Sequence, residues 1–172
     1  MEIGRILGLP AHPIFVHAVV VLVPLCALGV VLCALWPAAR RRLALTVLVL
    51  SVFVAAMVPV VQGSGEWLEG QVGRSALLER HTQLGDGFLP YAIALVIGAG
   101  AVAALRWMEA RSEVKQEANV GSSESVSTWQ APVWMVLGVA IIALVTSTLA
   151  AYQIYLVGDA GSAAAWAEFS TR

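Results

Sequence analysis

Charge is scarce in this chain. Only 12% of its 172 residues are Asp, Glu, Lys or Arg, against 59% that are hydrophobic. A soluble domain averages about 25% charged and about 45–50% apolar residues. The sequence therefore has too little charge to coat a globule and too much apolar surface to hide inside one. With a mean hydropathy of +0.83, this excludes both a water-soluble enzyme and a disordered chain. A net charge of −1 offers nucleic acid no attraction. Cysteine is scarce too: Cys26 and Cys33 stand alone, in one apolar run. Their spacing on a helix is about 10 Å of rise, too long for a disulfide between them. No CxxC pair is present, which excludes thioredoxin-type chemistry and covalent c-type haem. Gly-rich phosphate loops and the HExxH zinc motif are missing as well. No nucleophile–base pair is evident, so no catalytic residue is expected.

What remains is an all-α membrane protein: a four-transmembrane-helix bundle with short amphipathic outer helices, forming one integral domain over 1–172. Four apolar runs, at about 14–36, 43–61, 88–105 and 132–157, come close to the roughly 20 residues that cross a bilayer core. Pro24 falls inside the first and is expected to kink it, and Pro59 lies near the far end of the second. Arg40, Arg41 and Arg42 follow the first run rather than precede it, a stop-transfer arrangement and not a cleaved signal. Gly98 and Gly100 permit close helix contact in the third run. Trp129, Trp134, Tyr152 and Tyr155 suit an aromatic belt at the ends of the fourth. Residues 108–130 are polar and Ser/Glu-rich, and are expected to form a mobile cytoplasmic linker. No internal repeat stands out.

Lys and Arg set the orientation. Arg40, Arg41, Arg42, Arg106, Arg111 and Lys115 flank one set of span ends; Arg5, Arg74, Arg80 and Arg172 are scattered over the other segments. The bias puts both termini outside.

This topology collects the unusual residues on the outer face. His12 and His17 start the first span. His17, about one turn inside it, is an ionisable group at membrane depth; its alternatives are a ligand or a neutral imidazole bonded to a neighbouring helix. His12 precedes Pro13 and is expected in an extended lead-in, as an interfacial side chain or a ligand. Gly63 and Gly65 are expected to end span two in a turn. Glu66 and Glu69 follow, three residues apart, and can share a helix face as a metal-binding pair or a solvated one. Ser75 is placed to cap a short helix. There Leu77, Leu78, His81 and Leu84 form an apolar face, directing His81 inward at the top of the bundle, towards His17. Gly158 and Gly161 are expected to end span four, with Asp159 between them as a metal candidate or a plain loop acid. Ala163 to Phe169 then form a short interfacial helix.

Four stretches, LPAHPIFVHAVVVLVPL, GSGEWLEG, LLERHTQLGD and GDAGSAAAWAE, resemble in that order a bacterial family of four-helix membrane proteins, the domain of unknown function 2231 family. The resemblance spans about Leu9 to Glu168. The family pattern falls on His12, His17, Pro24, Glu66, Glu69 and His81. Where the family shows a histidine near the C-terminus, this chain has Asp159, so a site using that position is altered here. The resemblance implies the bacterial plasma membrane and a respiratory or redox setting.

Two functions are carried forward. One is a non-catalytic accessory or structural component of a membrane complex, with lipid and a protein partner around it and no bound cofactor. The other is an electron-transfer protein holding haem b or a metal. Its candidate haem ligands are His17 and His81; its metal candidates are His12, Glu66, Glu69 and Asp159. A transporter or proton relay fits less well, since no charged residue lies in the middle of any span.

Overall fold

The structure is a computed structural model that describes residues 4–118 and 131–167. It is a bundle of four long helices, each apolar and long enough to cross a membrane. The order is β1 (Arg5–Ile6), β2 (Leu9–Pro10), α1 (Ala11–Leu35), α2 (Pro37–Glu69), α3 (Ala76–Asp86), α4 (Leu89–Ala118) and α5 (Val133–Trp166). In lipid every backbone N–H and C=O must find a partner within its own segment, and uninterrupted helices meet that demand. Around the bundle the sequence is α1, α2, α4, α5, each packing on the next and α5 closing back on α1, while α3 lies against α5.

The core is narrow and made of small side chains. Val23, Cys26, Val30, Ala92, Leu95 and Ala150 are among its fully buried members. Large apolar residues such as Leu28, Leu45, Ile97 and Ile141 face outward, as lipid-facing positions do. Lipid removes the hydrophobic drive between helices, so close packing of small residues has to hold them. Gly29 sits where an added Cβ would come within 2.9 Å of Val47, and Gly98 is pressed against Thr146.

Several boundaries differ from the sequence reading. Residues 37–42 form no loop. Trp36 alone joins α1 to α2, held extended by the proline after it, and Pro37 opens α2 at the position where a helix tolerates proline. The three arginines therefore lie on the first turns of α2. Gly63 and Gly65 do not end α2, which runs on to Glu69. Gly158 and Gly161 do not end α5, which continues through Trp166 with no separate interfacial helix; Phe169 lies outside the described residues. α4 extends through Ala118, so the first part of the expected 108–130 linker is helical, and 119–130 lies outside the described residues. In each glycine case tertiary packing overrides a weak local preference.

The short pieces follow local chemistry. Leu7 and Gly8 both have left-handed φ, 51° and 83°, giving the two-residue turn that matches strand twist in a hairpin. The hairpin is closed by Ala11 N–H donating to Gly4 O at 3.0 Å, and Gly4 packs on the Trp67 ring. Ser75 caps α3 as its sequence indicates, its Oγ accepting from Leu78 N–H at 3.1 Å. Replacing Ser75 with Ala should cost about 1 kcal/mol of local helix stability. Amide exchange should then quicken in the first turn of α3 while the spans stay protected.

Polar side chains tie these elements together. The Gln62 amide donates to both Gly85 O and Asp86 O at 3.1 Å. Gln153 reaches Leu84 O at 3.5 Å. The open carbonyls at the end of α3 are thus met by neighbouring helices. Arg40, only 3% exposed, donates through Nη1 to Cys33 O and Ala34 O, each at 3.2 Å, capping the C-terminus of α1. Its Nε and Nη2 form a two-pronged pair with Glu109 of α4 at 3.2 and 2.8 Å.

Candidate functional site

The site gathers where α1, α2, α3 and α5 come together. Ala11 begins α1, so His12 is on the helix and not in an extended lead-in. Pro13 occupies the first turn, where its missing N–H would have no partner anyway. His12 turns to α2: its Nδ1 is 3.1 Å from Val61 O and 3.2 Å from Ser64 Oγ. Ser64 donates its own proton to Val61 O at 2.8 Å. A carbonyl can only accept, so Nδ1 of His12 carries the hydrogen, and in the neutral ring Nε2 is left with a lone pair.

His81 on α3 repeats the arrangement against α5. Its Nδ1 donates to Val157 O at 3.0 Å, which again leaves Nε2 as the open nitrogen. The two rings are neighbours, with centroids 6.2 Å apart and planes at 74°. Each ring also lies close against a helix glycine. A Cβ on Gly65 would come within 2.9 Å of His12 Cε1; one on Gly161 would come within 2.9 Å of His81 Cε1. These are the glycines whose sequence suggested helix ends. They are there to admit imidazoles.

His17, expected to face His81, does not. Five residues along a helix is a rotation of roughly 140°, so His12 and His17 cannot both face inward. His17 is exposed, its Nδ1 hydrogen-bonded within its own helix to Pro13 O at 2.5 Å. Glu66 is exposed and Glu69 half-buried in the last turns of α2, lining a shallow cleft with Gly70, Val72 and Arg74. Asp159 is exposed on α5, beside a second cleft lined by Val20, Pro24 and Tyr155. Among the described residues no three His, Cys, Asp or Glu side chains gather about one point. The expected set of His12, Glu66, Glu69 and Asp159 is therefore not brought together. Cys26 and Cys33 are buried and unbridged.

Sequence reasoning missed the pairing of His12 with His81. The signal for it is a Val with Gly four residues on, Val61 to Gly65 and Val157 to Gly161, which offers a carbonyl and, one turn later, a gap beside it. The chain matches no protein-family model, no curated protein and no solved structure.

Proposed function

We propose that this chain is a multi-pass membrane protein that holds a transition-metal ion at the outer end of its bundle through Nε2 of His12 and His81. One observation supports the reading above others: two neighbouring imidazoles, each with its Nδ1–H spent on a backbone carbonyl. Metal-ligating histidines are oriented in this way, the second hydrogen bond fixing the tautomer and raising the basicity of the ligating nitrogen. A single ion suits the pair better than haem. A porphyrin needs a broad flat slot between its ligands, whereas here the ring centroids are only 6.2 Å apart and each ring is hemmed in by Gly65 or Gly161.

The metal content of the full-length protein, purified in detergent from metal-replete cells, tests this. A stoichiometric ion should be present in the wild type and lost from a His12→Asn/His81→Asn double variant. Metal-free wild-type protein that also fails to take up added copper, zinc or iron would leave a purely structural component of a membrane complex as the better account. The proposed setting is the bacterial plasma membrane with both termini outside. Reporter fusions after residue 40 should then give cytoplasmic signals and fusions after residue 72 periplasmic ones; the opposite pattern would invert the topology.

A further inference from the structure

The two halves of the bundle repeat each other. An offset of 69 residues carries His12 to His81 and Gly29 to Gly98. The same offset carries the buried α1 residues Val23, Cys26, Val30 and Cys33 to Ala92, Leu95, Ala99 and Val102, which are buried in α4. An offset of 96 carries Val61 to Val157 and Gly65 to Gly161. It also carries Ser51, Val54 and Val58 of α2 to Ser147, Ala150 and Ile154 of α5, buried in both helices. The contacts repeat with the positions: His12 on Val61 O and Gly65, His81 on Val157 O and Gly161. Around the ring, α1 beside α2 corresponds to α4 beside α5, and α2 beside α4 to α5 beside α1. Most residues at equivalent positions differ because lipid accepts any apolar side chain, and this hides the repeat from the sequence.

We infer that the chain is two tandem copies of one helical hairpin related by a pseudo-two-fold axis along the bundle, that His12 and His81 are equivalent residues flanking that axis, and that they form a two-coordinate site for monovalent copper. The identity of the ion rests on the metal reading above. Two equivalent imidazoles supply two nitrogens and no charge, and no third His, Cys, Asp or Glu joins them among the described residues. Zinc calls for four ligands. A divalent ion between two neutral ligands would also leave twice the charge at the edge of an apolar bundle, where charge is costly. Monovalent copper accepts a linear pair of imidazoles. With each Nε2 directed at the other ring, metal–nitrogen bonds of about 2.0 Å and the radii of the two rings put the centroids about 6 Å apart, a separation the observed 6.2 Å accommodates. A linear pair leaves the rings free to rotate about the bonds, so the 74° between their planes is no obstacle.

The test uses the full-length protein in detergent, stripped of metal and titrated with silver(I), a redox-inert stand-in for copper(I). One ion should bind per chain. His12→Asn and His81→Asn keep an amide N–H for the Val61 and Val157 carbonyls while removing Nε2, so both variants should fold. Each should weaken silver binding by more than the roughly 100-fold that loss of a supporting hydrogen bond costs a metal site, and the two losses should agree. His17→Asn should leave binding unchanged. X-ray absorption of the copper(I)-loaded wild type should show two nitrogen neighbours and no third, a result that stands even if a variant fails to fold. Binding that survives either single substitution, or a third protein ligand in the absorption spectrum, overturns the two-fold site while leaving metal binding in place. No uptake of silver(I) or copper(I), with zinc or iron still bound, overturns the copper assignment; no uptake of any metal overturns it together with the function proposed above.

Discussion

Replacing Glu109 with Ala should be the most damaging single change in the bundle. It strands the Arg40 guanidinium, whose side chain is 4% exposed, without its counter-charge. Removing one partner of a buried ion pair costs about 3–5 kcal/mol, because the remaining charge stays desolvated. The expected result is a large drop in the thermal unfolding midpoint in detergent. Arg40→Met with Glu109→Met should be milder than Glu109→Ala alone, since neither charge is then left behind. It should still fall short of wild type by about 1–2 kcal/mol, because the Cys33 and Ala34 carbonyls lose their donor. A double variant as unstable as the single one would show that the pair contributes through packing and not through charge.

Gly65→Val should give the second large effect, with Gly161→Val as its counterpart. A side chain at either position must occupy the space of an imidazole lying within ordinary contact distance. Overpacking of this kind costs roughly 1–3 kcal/mol, and the displaced ring also gives up its bond to Val61 O or Val157 O. Both variants should melt earlier and, on the metal reading proposed above, lose the ion. Gly63→Val is the control, because a Cβ there meets nothing; it should keep the ion. Retention of the ion by Gly65→Val would mean that His12 does not hold it.

The spans were legible because a bilayer imposes length and apolarity on every crossing segment, and the runs beginning near Ile14, Leu43, Phe88 and Pro132 obey it. Their ends were not. Glycine is a poor helix former in isolation, so Gly63, Gly65, Gly158 and Gly161 read as stops, yet α2 and α5 run straight through them because hydrogen-bonded helix is the cheapest backbone in lipid. The histidines divided in the same way. That His81 lies on the inner face of an amphipathic helix follows from the spacing of Leu78 and Leu84, and Ser75 announces where that helix starts. Its neighbour was misassigned because Pro13 suggests an extended His12; placing a proline in a first helical turn costs nothing there and puts His12, not His17, on the inner face. In sequence Arg40 carries only a topological signal, as one of three arginines after the first span. That it caps one helix and pairs with another depends on Glu109, and nothing local connects the two.

The single-residue joint at Trp36 bears on how the protein is made. α1 and α2 have no slack between them, so once both have formed they can lie only as a tight hairpin. Arg40 is in place when that hairpin forms, but Glu109 is still unsynthesised. At roughly 5–20 residues per second, the ribosome needs on the order of several seconds to reach it. For that interval the guanidinium is held by the carbonyls of Cys33 and Ala34 alone. A first hairpin formed before α4 would thus hold one cation half satisfied, and the Arg40–Glu109 pair joins the second half of the bundle to the first.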